Sequence, residues 1–528
     1  MVPSSRVTQS HPSLYHLRTQ VFLYFVCSIK FVACGATIWA AALSDCSAAP
    51  PHFFVAPDTD LARLVANAPP DASFVLLPGR HYSGDIMPKD GQVFEGKPGA
   101  VLSGAVRLEH FARSDQYWKA AGPPPLPPSH GACDRRVAAS ADACRLREAL
   151  FIDGAPLTRV LTLGQLREGA WYQDRNTGDV FLTFDPGKRL VELSYRSFAF
   201  YGGAQNVTIR HLTIEQYATI AQHGAIEAIS ASGWVVVDNN VRFNSGTGIR
   251  TGDLMRVQSN RVSANGQMGI AGSGANLFIE SNEVTGNNTH AFDPAWEAGA
   301  TKFVKTDNLM FVRNCVHDNM GGGIWTDIDN RNASIIGNWS LNNSGAGIGH
   351  EISGHAIIAD NVSALNGSRE NSPWASQIIV SGSVDTLVWH NQIHVAPYSG
   401  HGIFVVEEGR PNEEKYIHEL PEYVSRGNVI MGNEITYSGI AGVSGFYSSR
   451  GDALALASAN LFENNNIVVN EGELRRFRIG GKVMKLYEAQ AHGQELRSRH
   501  AMKMPSDLQK PLYLACPPGI GARPVYRP

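Results

Sequence analysis

The sequence lacks the clustered charge of a nucleic-acid-binding protein. Its 528 residues include 45 Lys and Arg against 48 Asp and Glu, for a net charge of −3, with no long run of either sign. A basic patch is the electrostatic signature of a nucleic-acid partner, so we expect no such partner. Only 18% of residues are charged, while glycine and asparagine are frequent. This composition argues against a coiled coil or charge-driven disorder and favours a turn-rich β protein.

Long hydrophobic runs are also scarce. The one membrane-like stretch covers residues 21–43 and has Lys30 in its middle. Basic residues precede its apolar second half, and small residues follow it up to Ala49, where a signal peptidase would cleave. The pattern predicts a signal peptide over 1–49, an exported (periplasmic or extracellular) protein and no stable membrane partner after cleavage. The alternative is an uncleaved anchor at 21–43, with Lys30 held in the bilayer or reaching its surface.

Cysteine is rare, and its spacing excludes a structural zinc site. Of the seven cysteines, Cys133, Cys144, Cys315 and Cys516 follow the predicted cleavage point, without a Cys-x-x-Cys pair or a Cys/His set. Cys133 and Cys144 flank a polar loop and are able to pair in an oxidising compartment. Cys315 lies in an apolar, strand-like segment, which predicts a buried thiol. We expect no catalytic cysteine.

The middle of the chain contains an internal repeat, Asn-x-Val-x-x-Asn-x-x-x-Gly-Ile, in complete and degraded copies. The copies begin at Asn239, Asn260, Asn282, Asn314, Asn338 and Asn361. Their starts are separated by 21, 22, 32, 24 and 23 residues. Short apolar strands separated by Asn and Gly turns, at this period, predict a right-handed parallel β-helix with one coil per copy.

This repeat determines the predicted fold and its boundaries. We expect an all-β, single-stranded solenoid from about residue 70 to about 470, with asparagine side chains stacked in ladders between coils. Residues 60–65 predict an amphipathic helix that caps the open N-terminal edge. The predicted order is signal peptide (1–49), N-terminal cap and first coils (50–105), inserted small β subdomain (106–195), parallel β-helix (196–470) and C-terminal cap and tail (471–528).

The register of the repeat predicts a ridge of side chains on one outer face. With Ile324 and Ile348 pointing inward, the alternation of a strand determines which of the following residues point outward. The residues placed outward are Trp325, Asp327 and Asp329 in one coil and Gly349, Glu351 and Ser353 in the next. Since adjacent strands are about 4.8 Å apart, the carboxyl groups of Asp327 and Glu351 should approach to roughly 5 to 6 Å.

Two carboxyl groups at this separation suit one particular chemistry. Mutual repulsion in a partly desolvated groove raises the proton affinity of one of them, which gives one ionised and one protonated group near neutral pH. A retaining glycosidase needs this division, with Asp327 as nucleophile and Glu351 as general acid/base. An inverting enzyme would need a wider gap of roughly 6.5 to 9.5 Å.

The longest repeat interval places a loop, residues 290–305, beside the same ridge. We predict that this loop forms a wall of a sugar site, with tryptophans as stacking surfaces. The predicted substrate-binding residues are Trp325, Trp296, Glu297, Lys302, His350, Asp329 and Asp293. Alternatives stay open: Trp296 caps a core of the loop itself, Lys302 only neutralises Asp327, His350 points inward, or the paired acids form a structural or calcium site.

Two strings one coil apart resemble the paired motifs of the parallel β-helix glycosidases of the β-xylosidase type. They are Gly-Ile-Trp-Thr-Asp at 323–327 and Ile-Gly-His-Glu-Ile-Ser at 348–353. The stretch around Trp171 and Val180 also resembles the β-sandwich that interrupts the solenoid of such enzymes. The resemblance covers about residues 150–353 at the level of motifs. It implies that Asp327 is the nucleophile and Glu351 the acid/base.

Two other functions are compatible with the same residues. A polysaccharide lyase or epimerase would use Lys302, Lys305 or His350 as base and a cation, such as Ca²⁺, or a lysine to neutralise a uronate. A non-catalytic solenoid would bind carbohydrate on its aromatic residues. The expected partner is in every case an oligo- or polysaccharide, and the glycosidase needs no cofactor. No heptad or exposed stripe indicates an oligomeric state.

Overall fold

The computed structural model describes residues 50–138, 140, 142–368, 372–502 and 516–521. The segment 1–49, with its predicted signal peptide or anchor, lies outside these residues. Within the described ranges, no helix combines the length and apolar character needed to cross a bilayer.

Three long sheets, named A, B and C here, form the sides of a parallel β-helix. The strands of sheet A are His52–Val55, Ser73–Leu76, Val93–Gly96, Thr208–Arg210, Val235–Val237, Arg256–Gln258, Phe278–Glu280, Met310–Val312, Ser334–Ile336, Ile357–Ala359, Leu387–Trp389, Val429–Met431 and Leu461–Glu463. The strands of sheet B are Gly79–Tyr82, Ala100–Ser103, Thr213–Glu215, Asn240–Arg242, Arg261–Ser263, Glu283–Thr285, Cys315–His317, Trp339–Leu341, Val362–Ala364, Gln392–Val395, Glu434–Tyr437, Asn466–Val469 and Arg499–Met502. The strands of sheet C are Phe200–Tyr201, Gly224–Glu227, Thr247–Thr251, Met268–Ala275, Gly299–Asp307, Ile324–Asp327, Ile348–Glu351, Ser376–Ser381, His401–Glu407, Ser444–Ser448, Phe477–Ile479 and Lys482–Met484.

Successive coils stack in register, so like residues lie above like. In sheet C, Ile348 is paired with Ile324 on one side and with Ile378 on the other, and all three side chains are buried inside the helix. In sheet A, the rings of Phe74 and Phe94 stack with centroids 5.0 Å apart. The prediction of an all-β right-handed parallel β-helix is confirmed.

Asparagine ladders satisfy the backbone at the turns of the helix, as the repeat predicts. The Asn282 side-chain amide donates to Asn314 Oδ1 at 3.0 Å and to the Val257 carbonyl at 2.8 Å. Its own Oδ1 accepts from the backbone N–H and the side-chain amide of Asn260, at 2.9 and 3.0 Å. Each buried amide in the stack supplies the donors and the acceptor that the next one needs, which explains the period of the sequence.

The solenoid is longer than predicted at both ends. His52–Val55 already pairs with the next strand of sheet A, before the predicted start near 70. Arg499–Met502 pairs in sheet B beyond the predicted end near 470. The degraded repeats at these ends have lost the asparagine signal but kept the strand pattern. Between the first strands lies the helix Leu61–Asn67, which begins with Asp60 accepting a hydrogen bond from the Arg63 N–H.

The stretch without the asparagine pattern forms two small sheets with a core of their own. One sheet has the strands Ala105–Arg107, Leu150–Ile152, Ala155–Pro156 and Val191–Ser194. The other has Ala112–Ser114, Tyr117–Ala120, Thr158–Arg159, Ala170–Gln173 and Val180–Leu182. Trp171 and Leu193 belong to the separate apolar cluster that these sheets enclose. The remaining described helices are Pro294–Glu297, Ala453–Ser458 and Leu486–Ala491, with 3₁₀ turns at Ala143–Arg145, Leu163–Gln165 and Pro373–Ala375.

Two disulfides cross-link the described chain. Cys133 pairs with Cys144 within its loop. Cys315 pairs with Cys516, so the prediction of a buried free thiol at Cys315 is wrong. Cys315 points out of sheet B, and the segment 516–521 returns along the chain to cover it, a contact between distant segments that no local pattern in the sequence could show.

Candidate active site

Asp327 and Glu351 end two neighbouring strands of sheet C. Ile324–Asp327 and Ile348–Glu351 pair in parallel, with Asp327 opposite Glu351. Both residues are almost buried, with 5% and 4% of their surface exposed. Because adjacent parallel strands are about 4.8 Å apart, the structure brings the two carboxyl groups onto adjacent rungs of one face, as the register predicts.

Lys302 fixes one oxygen of Asp327 and leaves the other free. Phe303 pairs with Thr326, which makes Lys302 level with Trp325. Its Nζ lies 2.9 Å from Asp327 Oδ2 and 4.1 Å from the centre of the Trp325 ring. The buried Oδ1 of Asp327 has no hydrogen-bond partner within the described part of the chain. One oxygen is thus held by an ammonium group, while the other is buried and unpaired.

Glu351 lies in a different environment. Its Oε2 accepts a hydrogen bond from Trp325 Nε1 at 3.2 Å, and its Oε1 accepts one from Arg410 Nη1 at 2.8 Å. Burial first, and then repulsion by Asp327, raise the pKa of Glu351 to about 8, against the lowering effect of Arg410. Glu351 is therefore mainly protonated at neutral pH, while its in-register neighbour forms a salt bridge with Lys302.

A cavity of about 260 Å³ opens over Glu351. Its lining residues are Pro294, Ala295, Gly322, Ile324, Trp325, Gly345, Ala346, Gly349, Glu351, Trp374, Glu408 and Arg410. The rings of Trp325 and Trp374 meet at 64° with centroids 6.1 Å apart. Gly349 leaves space for the cavity, since a Cβ there would lie 3.3 Å from the Trp325 ring. Apolar walls with a few charged groups are typical of a small-molecule site.

The loop that precedes Lys302 contributes less to this cavity than predicted. Asp293 caps the helix Pro294–Glu297 by accepting from the Ala295 N–H, and does not line the cavity. Trp296 packs against Phe292 and the Cys133–Cys144 loop, which is the alternative in which it caps a core of its own. Glu297 lies 3.9 Å from Lys302 Nζ. Helix formation in this loop turns Trp296 away and presents Pro294 and Ala295 instead.

Two predicted binding residues lie elsewhere. His350 is fully buried inside the β-helix and is hydrogen-bonded to Thr326, so it is not available for contact with a ligand in the groove. Ile328 and Asp329 both have φ near +60°, which interrupts the alternation, and Asp329 Oδ1 accepts a hydrogen bond from Tyr423 at 2.8 Å. Ser353, predicted to point outward, joins an internal ladder with Asn330 because the backbone turns at Ile352.

The sequence reasoning missed the wall opposite the helix Pro294–Glu297. Trp374 comes from the 30-residue interval between Asn361 and Asn391. Glu408 and Arg410 come from the 42-residue interval between Asn391 and Asn433. The signal that could have revealed them was the same excess length that pointed to the loop 290–305.

A close grouping of potential metal ligands occurs outside the cavity. Among the described residues, Cys315, His317 and Cys516 bring their ligand atoms within 4.8 Å of one another, and the two cysteines form a disulfide. These residues belong to sheet B and the segment 516–521, so they fasten that segment to the β-helix and do not take part in the site of Asp327 and Glu351.

Comparison with known proteins supports the fold. Residues 224–393 match the family model described as the right-handed beta helix region. The solved structure of XylC in complex with xylose is 15% identical, with 87% of this chain and 85% of that chain covered and a TM-score of 0.56. The A-module of the Azotobacter vinelandii mannuronan C-5 epimerase AlgE6 is 13% identical over 84% of this chain and 94% of its own, with a TM-score of 0.45. No curated protein matches the sequence.

Proposed function

We propose that this protein is a retaining glycoside hydrolase, with Asp327 as nucleophile and Glu351 as general acid/base. The observation that carries the proposal is the in-register pair with opposite environments: Asp327 is salt-bridged to Lys302, and the pKa of Glu351 is raised to about 8. A pair on adjacent parallel strands fits the short carboxyl separation of the retaining mechanism, roughly 5 Å.

The reaction proceeds in two displacements. The Asp327 carboxylate attacks the anomeric carbon while protonated Glu351 gives its proton to the departing glycosidic oxygen, which leaves a glycosyl ester on Asp327. Glu351, now ionised, then takes a proton from a water molecule that attacks the ester and releases the sugar. Arg410 and Trp325, both bonded to Glu351, orient the carboxyl group through both steps. The mechanism needs no cofactor.

Two observations support a carbohydrate ligand: the lining of the cavity, and the similarity of the fold to that of XylC. Two tryptophan rings and three charged groups around about 260 Å³ match the needs of one sugar ring, which has apolar faces and a polar rim. XylC, which shares the fold over most of both chains, is solved with xylose. We also propose export through the segment 1–49, because two disulfides are typical of an oxidising compartment.

Within the described part of the chain, none of the three bases named for the lyase or epimerase hypothesis lines the cavity. Lys302 is buried in its ion pair with Asp327, and Lys305 binds Glu414 at the surface, at 2.7 Å. Burial lowers the pKa of His350 to about 3, and its ring lies inside the helix. A purely binding solenoid would not need an in-register pair of acids in opposed environments.

The decisive experiment compares Asp327→Ala and Glu351→Ala on a panel of aryl glycosides. Loss of the general acid should lower the rate by about 10²–10⁴-fold for poor leaving groups and much less for activated ones. Azide should restore turnover to Glu351→Ala by attacking the glycosyl ester, which gives a glycosyl azide of retained configuration, whereas any glycosyl azide formed by Asp327→Ala should have the inverted configuration. Proton NMR of the first product should show retained anomeric configuration.

Asp360→Asn is the matched control, since Asp360 is an exposed carboxylate that lies 3.8 Å from His390 on a turn. It has a φ of 55°, which asparagine also tolerates. It should behave like the unaltered protein. Undiminished turnover in both alanine variants, or an inverted product, would refute the proposal.

A further inference from the structure

One wall of the cavity is formed by two oppositely charged side chains from the same loop. Glu408 and Arg410 come just after the strand His401–Glu407. They line the cavity opposite the helix Pro294–Glu297. Gly409 between them has a φ of 66°, so the chain turns just after the strand, and both side chains line the cavity beyond that turn. The wall offers an acceptor and a donor next to each other.

Each of the two side chains is held at one point and keeps capacity for a ligand. Glu408 Oε1 accepts from Trp374 Nε1 at 3.0 Å, which leaves the second carboxylate oxygen. Arg410 uses Nη1 on Glu351, and its side chain is 48% exposed, so further N–H donors face the cavity. Anchoring one end fixes the orientation of both groups without using up their hydrogen bonds.

The loop is fixed further along its length by contacts outside the cavity. Tyr423 donates to the buried Asp329, and the Arg331 guanidinium lies 4.0 Å from the Tyr416 ring centre. Pro411 and Glu422 form an antiparallel bridge that closes the loop on itself. The wall is therefore a preorganised surface, and ordering it costs little when a ligand binds.

We propose that Glu408 and Arg410 bind two neighbouring hydroxyl groups of the sugar whose bond is cut, and that they select a neutral sugar. A hydroxyl group donates one hydrogen bond and accepts others, so a vicinal pair complements a carboxylate beside a guanidinium. Asp327 is paired with Lys302, and beside Glu351 the cavity lining carries one acidic side chain, Glu408, and one guanidinium, Arg410. A uronate would bring an uncompensated negative charge next to Glu408.

This inference rests on the proposed function, and binding of free sugars tests it without turnover. Titration calorimetry would measure binding of neutral pentoses and hexoses, glucuronate and galacturonate to the unaltered protein. The monodeoxy forms of the neutral sugar that binds would follow. Removing a hydroxyl at either of two adjacent positions should weaken binding by about 10- to 100-fold, the usual effect of a lost hydrogen bond to a charged group.

Two variants should then remove this discrimination selectively. Glu408→Gln should weaken binding of the parent sugar about 10-fold, and removal of the hydroxyl group at one of the two positions should then weaken binding less than it does in the unaltered protein. Arg410→Met should have the same effects, with the hydroxyl group at the neighbouring position. Glu414→Gln is the matched control, because Glu414 belongs to the same loop but pairs with Lys305 outside the cavity. Its discrimination should equal that of the unaltered protein.

Three results would overturn the inference. These are unchanged discrimination in both variants, tighter binding of a uronate than of every neutral sugar, and no binding by any sugar tested. Equal melting temperatures of the variants would exclude misfolding as the cause of a loss. If the protein hydrolyses glycosides but the variants discriminate between sugars as the unaltered protein does, the hydrolase proposal stands and this inference fails. If the variants lose discrimination but no glycoside is hydrolysed, the sugar-binding site stands and the hydrolase proposal fails.

Discussion

Replacing Arg410 by methionine should move the alkaline limb of activity to higher pH. The general acid works only when protonated, so kcat/KM should fall as the pH rises through the pKa of Glu351, about 8. Arg410 lowers that pKa because its positive charge favours the ionised carboxylate. Without this charge, the proton should be held more tightly.

The size of the shift follows from the contact. Arg410 Nη1 lies 2.8 Å from Glu351 Oε1. With charge centres about 4 Å apart and an effective dielectric constant of about 20, the interaction is about 4 kcal/mol, or about 3 pH units at most. Half of the Arg410 side chain is exposed and therefore screened. We expect a displacement of about one pH unit, at the low end of the range for such pairs.

The assay is the pH dependence of kcat/KM for an aryl glycoside with a poor leaving group. Arg210→Met is the control, since Arg210 pairs with Glu95 at 2.6 Å on sheet A, outside the cavity. Its limb should coincide with that of the unaltered enzyme. A limb that stays in place or moves to lower pH in Arg410→Met would show that Glu351 is not the titrating acid or that Arg410 does not act on it.

Three further predictions concern stability. Asn282→Ala should lower the free energy of unfolding by about 2–5 kcal/mol, because it leaves several buried partners unpaired, whereas the exposed Asn176→Ala should have little effect; urea titration would measure both. Cys516→Ser should cost about 2–4 kcal/mol, seen as a lower melting temperature without a change in KM, because the disulfide joins residues 201 apart. Burial raises the pKa of Glu495 to about 7, so its contribution is present below about pH 4.5 and is lost as the pH rises through 7. Glu495→Gln should therefore flatten the fall in melting temperature between about pH 5 and 8, and an unchanged fall would contradict this assignment.

The fold was predictable because the asparagine ladder requires the same residue at the same place in successive coils, and this repeat is visible in the sequence. An asparagine such as Asn282 must stack on Asn314, so the chemistry of one buried amide imposes a period that survives in a single sequence. The disulfide between Cys315 and Cys516 has no such constraint, because it depends on where the tail returns. The same holds for the ends of the solenoid, where strands persist after the asparagines have gone.

The positions of site residues were predictable only within regular strands, where side chains alternate between the two faces of the sheet. Asp327 and Glu351 follow directly from the register, because both lie within regular strands. Asp329 and Ser353 do not, since positive φ angles at Ile328 and Ile352 break the alternation just after each strand. A side chain beyond the end of a strand requires the turn geometry, which the residue types alone do not determine.

The excess length of the repeat locates the remaining walls of the site. Coils without insertions need 21 to 24 residues between successive asparagines, and the three longer intervals between Asn282 and Asn433 have 32, 30 and 42. These three supply the helix Pro294–Glu297 and then the opposite wall of Trp374, Glu408 and Arg410. A stacked solenoid can enclose a ligand only by interrupting its own period, since regular coils produce a flat face. Interval length in such a protein therefore indicates where a cavity forms, and the register indicates which reactive groups lie on its floor.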